Sequence, residues 1–60
     1  TDKLTPMEYS IAMLASKGWT NQEIAKQLSL SPNTIKHYLS RIFHLLDIEK
    51  REELKPFVNK

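Results

Sequence analysis

The chain has 60 residues, no cysteine and a net charge of +2. Such a length allows one small domain, and the lack of cysteine excludes a disulfide framework and a cysteine-based zinc site, so a hydrophobic core must stabilise the fold. The longest apolar run, Ile11 to Ala15, is far shorter than the 18 or more residues of a membrane span, so no membrane helix is expected. The N-terminal Thr1-Asp2-Lys3-Leu4 lacks the features of a secretory signal, which with the absence of cysteine predicts a cytoplasmic protein.

The excess positive charge is confined to one segment. In residues 1–31 and 47–60, lysines and arginines are balanced by equal numbers of acidic residues. Residues 32–46 contain Lys36, Arg41 and both histidines, and no acidic residue. This segment is therefore the one suited to a polyanionic partner.

The pattern along the chain predicts an all-α domain, since no stretch alternates with period two. The first helix is expected over residues 6–16. Thr5 is its N-cap, Pro6 its first residue, and Glu8 closes a capping box. The helix is expected to stop at Gly18, and its inner face is predicted to contain Met7, Ile11, Leu14 and Ala15.

A second capping box, Thr20 to Glu23, predicts a short helix over residues 21–28. Trp19 is expected to be a core or staple residue. The turn Ser29-Leu30-Ser31 then leads to Pro32, which begins a third helix over residues 32–46. Hydrophobic staples are predicted at the start of all three helices, and they pair Leu4 with Tyr9, Trp19 with Ile24, and Leu30 with Ile35.

The third helix is amphipathic. Its apolar side contains Ile35, Leu39, Ile42, Phe43 and Leu46. Its polar side contains Asn33, Lys36, His37, Ser40, Arg41 and His44. Two helices joined by so short a turn are typical of the helix-turn-helix, whose second helix enters the major groove of DNA.

A fourth helix is predicted over residues 50–55, where Leu54 would complete the core. Pro56 is expected to end or kink this helix near Leu54 and to push Lys55 out of helical geometry. Phe57 and Val58 would then lie on an extended or displaced tail. We expect the isolated chain to be monomeric at micromolar concentration.

Four motifs spread over nearly the whole chain are more specific than this helical pattern. They are Leu4-Thr5-Pro6-x-Glu8; Leu14-Ala15-x-x-Gly18-x-x-Asn21-x-Glu23-Ile24-Ala25-x-x-Leu28; Ser31-x-x-Thr34-Ile35-Lys36-x-x-Leu39-x-x-Ile42; and Arg51-x-Glu53-Leu54. Together they resemble the LuxR/FixJ-type (GerE-like) helix-turn-helix family.

This resemblance implies a four-helix, sequence-specific DNA-binding domain over residues 1–60. Such a domain usually forms the C-terminal output part of a longer bacterial transcription regulator. Double-stranded DNA is the implied partner, a homodimer formed on DNA through the last helix is a candidate assembly, and RNA polymerase is a further candidate partner.

The resemblance also implies roles for individual residues. Lys36, His37 and Ser40 correspond to the groove-facing set, and Asn33 and Arg41 share their polar face. Thr20, Asn21, Ser31 and Thr34 correspond to phosphate contacts. Tyr38 stands where the family often has histidine, and its side chain is expected either to contact a phosphate or simply to pack.

Asp47 departs from the family, because it replaces the glycine that usually ends helix three. The chain must therefore place Asp47 in the left-handed conformation, which aspartate tolerates better than most residues, or leave the helix by another route.

Catalysis, cofactors and metals are not expected. Ser40 and His44 have no carboxylate to complete a catalytic triad. His37 and His44 have Arg41 between them and no further ligand for a metal. Two other binding functions remain open: a helical adaptor for an acidic protein partner, and a sigma-factor-like promoter-binding region.

Overall fold

The fold consists of three α-helices and a short helical C-terminal segment. The computed structural model describes residues 4–58, in which α1 spans Pro6–Ser16, α2 Asn21–Leu28 and α3 Pro32–Leu46. A 3₁₀ helix over Arg51–Leu54 runs directly into α4, Lys55–Val58. The predicted bounds of α1, α2 and α3 are confirmed, and the described part of the chain contains no strand.

Two parts of the sequence predictions fall outside the described residues. Thr1-Asp2-Lys3, on which the absence of a secretory signal was judged, and residues 59–60 of the single domain both lie there. Within residues 4–58, no helix has the length and apolar character needed to cross a membrane.

Side chains cap the start of each long helix, as predicted. The N–H of Glu8 donates to Thr5 Oγ1 at 3.2 Å, and the N–H of Thr5 donates back to Glu8 Oε1 at 2.9 Å. Thr20 and Glu23 form the same reciprocal pair. Ser31 accepts a hydrogen bond from the N–H of Thr34 at 3.1 Å. These bonds are local in sequence, so they define the helix starts before any tertiary packing.

The same three helices also end alike. A residue just beyond the last turn has a positive φ, and the next N–H donates to a carbonyl five residues earlier. Asp47 therefore takes the first of its two predicted routes, the left-handed conformation. The positive-φ residues are Gly18 at 93°, Ser29 at 60° and Asp47 at 56°.

The core is centred on α1, which packs against α2, α3 and the C-terminal segment, while α2 and α3 also pack on each other. Its buried apolar residues are Ile11, Ala12, Ala15, Ile24, Ala25, Ile35, Leu39, Ile42, Leu46, Leu54 and Val58. Trp19 is half-buried and packs against this core, as predicted.

The predicted inner face of α1 was wrong at Met7, whose side chain is 39% exposed. The buried stripe instead starts at Glu8 and continues through Ile11, Ala12 and Ala15 to Ser16, a spacing that follows the helical repeat. A carboxylate can occupy this stripe because both of its oxygens have partners, one in the capping box and one on Arg41.

The prediction for Pro56 was wrong for Lys55 and for the tail, although the 3₁₀ helix does end at Leu54. Lys55 is helical, with φ −53° and ψ −46°, and Phe57 and Val58 belong to α4 instead of an extended tail. Pro56 is the second residue of α4, and proline is tolerated in a first turn because the N–H it lacks would have no intrahelical partner there. Full burial of one apolar side chain of this kind contributes roughly 1.5 to 3 kcal/mol. The burial of Val58 and of part of Phe57 therefore favours this helical path.

Candidate nucleic-acid interface

The exposed face of α3 contains the predicted DNA-contacting side chains. Asn33, Lys36, His37, Ser40 and Arg41 are all exposed. With successive residues about 100° apart, Asn33, His37 and Ser40 lie along the centre of this face, and Lys36 and Arg41 lie on opposite edges. No acidic residue belongs to α3, so the helix presents donors and cations to its surroundings.

One shallow surface hollow lies along the Arg41 edge. It is lined by Thr34, His37, Tyr38 and Arg41, which recur at helical spacing, and no acidic side chain lines it. Tyr38 is half-buried and packs against the core, which confirms the packing role considered for it. A phosphate contact by its hydroxyl stays a prediction. Thr34, His37 and Tyr38, three other predicted DNA contacts, therefore line the hollow together with Arg41. Lys36 and Ser40 do not line it.

Arg41 forms an ion pair with Glu8, a partner that the sequence did not predict. Its Nε lies 3.0 Å from Oε2 of Glu8, whose side chain is only 4% exposed, whereas the side chain of Arg41 is 70% exposed. Glu8 was recognised only as a capping residue. Its position in the buried stripe with Ile11 and Ala15 was the available signal, because a buried carboxylate requires a cationic or hydrogen-bonding partner.

The predicted phosphate contacts lie at the starts of α2 and α3. Thr20 is exposed, and its hydroxyl oxygen accepts from the N–H of Glu23. The hydroxyls of Ser31 and Thr34 share a hydrogen bond of 2.8 Å. Helix N-termini favour anions, because their first N–H groups have no intrahelical acceptor.

Asn21 has an internal partner that no sequence pattern indicated. The guanidinium of Arg51 donates to Oδ1 of Asn21, and its Nη1 donates to the carbonyl of Trp19 at 2.7 Å. These partners lie 30 and 32 residues away in the sequence. Because guanidinium has only donors, the oxygen of the Asn21 amide faces Arg51 and its NH₂ group is left for other partners. Arg51 thus fastens the start of α2 to the C-terminal segment.

Metal binding finds no geometric support in the part of the chain that the structure describes. Among residues 4–58, no three His, Asp or Glu side chains are grouped so as to hold an ion. His37 and His44 are both exposed on α3.

Comparison with known proteins agrees with this geometry. The profile of the family described as "Bacterial regulatory proteins, luxR family" (GerE) matches residues 2–57. The chain belongs to the LuxR family. Domains of this family bind DNA sequence-specifically and regulate transcription. The family is a class of transcription regulators and not a class of enzymes.

Named regulators are among the relatives of this LuxR-family domain. It is 40% identical over 52 residues to the two-component response regulator PprB of Pseudomonas aeruginosa, a match that covers 87% of the chain and 19% of PprB. It is 46% identical over 52 residues to the transcriptional regulatory protein ComA of Bacillus subtilis, covering 87% of the chain and 24% of ComA. The DNA-binding transcriptional activator DevR/DosR of Mycobacterium tuberculosis is 37% identical over 54 residues, which are 90% of the chain and 25% of that protein.

The chain thus spans about a quarter or less of the length of these curated relatives. A search of the solved structures gave no significant match.

Proposed function

We propose that this domain binds double-stranded DNA by placing α3 in the major groove. The proposal rests on the exposed face of α3, which combines a row of polar side chains with the absence of acidic residues. An α-helix fits the major groove, where each base pair presents its own pattern of donors and acceptors. Such a face suits both the base edges and the negative charge of the backbone.

Within this face, we propose that Lys36, His37, Ser40 and Asn33 approach the base edges. All four side chains are exposed, and their positions lie at the centre of the face or on its Lys36 edge. His37 can donate or accept, and Lys36 can only donate. Recognition of one base pair in preference to another depends on such direct contacts.

Phosphate contacts are proposed for Thr20, Asn21, Ser31 and Thr34, with Tyr38 and Arg41 at the edge of the helix. The hydroxyl of Thr20 accepts one hydrogen bond inside the domain, and its proton can still be donated outward. Contacts of this kind fix the register of a protein on DNA without reading its sequence.

For the whole protein, we propose that residues 1–60 form the C-terminal output domain of a longer cytoplasmic transcription regulator. The small share of each relative's length that the chain covers supports a longer protein. Pairing of two copies on a two-fold-related DNA site and contact with RNA polymerase are proposed with it. No catalytic activity or cofactor is expected of this domain.

The test of DNA binding is a salt titration. Fluorescence anisotropy with a labelled duplex, from roughly 50 to 200 mM KCl, should give a linear log–log plot whose slope is about −0.9 for each phosphate neutralised. Lys36→Ala should reduce the affinity, whereas Lys17→Ala, which removes an exposed lysine at the end of α1, should not.

The same measurement addresses the alternatives. An adaptor for acidic proteins should bind polyglutamate as well as it binds DNA, and duplex binding without a salt dependence would contradict the proposal. The complete open reading frame tests the sigma-like alternative, because that reading requires polymerase-binding segments upstream.

A further inference from the structure

Glu8 is the one acidic or basic side chain in the described residues that is buried, and it has two partners. Its Oε1 accepts the N–H of Thr5 at 2.9 Å, and its Oε2 lies 3.0 Å from Nε of Arg41. The ion pair joins α1 to the outward face of α3. Glu23 has the same capping role in α2 but is exposed and has no arginine partner among residues 4–58.

The atom of Arg41 that Glu8 binds is informative. A guanidinium has three nitrogens, and the carboxylate of Glu8 forms its ion pair at Nε, the one closest to the backbone. The four donors on Nη1 and Nη2 belong to the outer end of a side chain that is 70% exposed. The guanidinium of Arg41 is therefore paired on its inner side, while the Nη groups, which can bind a phosphate with two parallel hydrogen bonds, lie on its outer side.

The surroundings of Arg41 suit an anion. The hollow that it lines also includes the hydroxyl-bearing side chains of Thr34 and Tyr38 and the imidazole of His37. These groups can all donate hydrogen bonds, and the acidic partner of Arg41 is buried behind it. The hollow lies on the Arg41 edge of the α3 face, and His37, which is proposed to reach the bases, forms its border with the centre of that face.

We propose that Glu8 is a positioning residue, which orients Arg41 so that its Nη groups bind one DNA backbone phosphate in the hollow lined by Thr34, His37, Tyr38 and Arg41. The inference rests on the proposed DNA-binding function and adds to it. It explains how Arg41 is directed to the backbone and not to a base edge, and it gives α1 a part in DNA recognition.

The proposal is testable because a positioning role and charge alone predict opposite effects of Glu8→Gln on DNA affinity. Glu8→Gln deletes a negative charge near a polyanion, so simple electrostatics predicts tighter binding. Loss of orientation predicts weaker binding, because the amide can still accept from Thr5 but no longer holds Arg41 by charge.

The experiment measures binding of a labelled mixed-sequence duplex of about 20 base pairs at several KCl concentrations. We expect Glu8→Gln to weaken binding by roughly threefold to tenfold, comparable to one hydrogen bond. Arg41→Gln should weaken binding and reduce the salt slope by about 1. The double variant should bind no more weakly than Arg41→Gln. Glu23→Gln is the matched control and should bind as tightly as the wild type or more tightly.

The outcomes distinguish a failure of the proposed DNA-binding function from a failure of the positioning role of Glu8. A wild-type domain that does not bind duplex DNA would refute the proposed function itself. If the wild type binds and Glu8→Gln binds equally or more tightly, the positioning role is wrong. If the effect of Glu8→Gln differs between two unrelated duplexes, Arg41 contacts a base, and the phosphate assignment is overturned.

Chemical denaturation shows whether Glu8→Gln folds, and Arg41→Lys provides a second route if it does not. Lysine keeps the charge, but its single ammonium cannot both remain with Glu8 and bind a phosphate with two parallel bonds. We expect Arg41→Lys to bind DNA several-fold more weakly, and unchanged binding would overturn the proposal.

Discussion

Lys36 and His37 are neighbours in α3 and are both exposed, yet their side chains should contribute differently to DNA binding. We expect Lys36→Ala to weaken binding to all sequences. We expect His37→Ala to change the preference at one base pair by roughly 1 to 3 kcal/mol. Neither variant should impair folding, because neither side chain belongs to the core.

Affinities across a panel of single-base operator variants measure this difference, with Lys17→Ala as the control lysine outside α3. An equal loss of affinity for every duplex in the His37→Ala variant would assign His37 to the backbone.

The hydrogen bonds of Glu53 predict that the stability of the domain depends on pH. Its carboxylate accepts the N–H groups of Glu49 at 2.7 Å and Lys50 at 2.9 Å, and these two bonds lower its pKa below 4.5. A carboxyl whose pKa is lower in the folded chain stabilises the fold above its unfolded pKa, and this contribution is lost as the pH falls through the folded pKa. We expect Glu53→Gln to melt below the wild type at neutral pH, with the difference shrinking as the pH falls below 4.5.

Thermal denaturation between neutral and acidic pH measures this effect. Glu52→Gln is the matched control, because Glu52 is an exposed neighbour for which no such hydrogen bond is formed within the described residues. A stability difference that persisted unchanged at acidic pH would contradict the role given to the ionised carboxylate.

At the level of the helices, Thr20 satisfies an N–H at the start of α2. We expect Thr20→Ala to reduce the free energy of unfolding by about 1 kcal/mol, the usual value for an N-cap, and to weaken DNA binding only modestly. Chemical denaturation measures it, with the exposed Gln22→Ala as a control in the same turn. An unchanged denaturation midpoint would contradict the stabilising role given to the Thr20 side chain.

The end of α3 is held in a conformation that favours glycine. Asp47 has φ 56° and ψ 48°, and the left-handed region costs an L-residue roughly 1 to 2 kcal/mol. Glycine avoids this cost but loses about 0.5 to 1 kcal/mol through the entropy of the unfolded chain. We therefore expect Asp47→Gly to stabilise the domain by about 0.5 to 1 kcal/mol.

The same substitution at Lys17, where φ is −87°, should destabilise the domain, because no left-handed strain is relieved there. Denaturation of both variants tests the pair. Destabilisation by Asp47→Gly would show that the aspartate side chain contributes more than its backbone conformation costs.

For the whole molecule, the packing of α4 bears on the state of association. Val58 is buried, Phe57 is half-buried against the same core, and the hydroxyl of Tyr9 donates to the carbonyl of Val58 at 3.2 Å. These apolar groups pack inside the domain, and within residues 4–58 α4 spans the four residues Lys55–Val58. We expect the isolated domain to be monomeric at micromolar concentration, although the reason differs from a displaced tail.

Sedimentation equilibrium measures this directly. A dimer with a dissociation constant well below micromolar would show that another surface of the domain pairs. Repeating the measurement with operator DNA would show whether two copies associate on it, as proposed.

The three long helices and the exposed face of α3 follow from local features of the sequence. Thr5, Thr20 and Ser31 cap helices through bonds to residues only three positions away, so short motifs suffice to define the starts. The apolar spacing of α3 then fixes which side chains remain outside, because the helical repeat is a local property. The candidate DNA-contacting face follows from these two facts alone.

The contacts that join the helices, and the polar groups that take part in them, depend on the three-dimensional packing of the chain. Glu8 pairs with Arg41, Arg51 binds Asn21, and Pro56 is accommodated in α4, and each result depends on groups distant in sequence or on competing packing. Local residue propensities include the steric strain that Pro56 imposes on Lys55. They do not include the favourable free energy of burying Val58 against α1. A single sequence carries no periodicity that pairs residues 30 positions apart, so these contacts emerge only when the core brings the helices together.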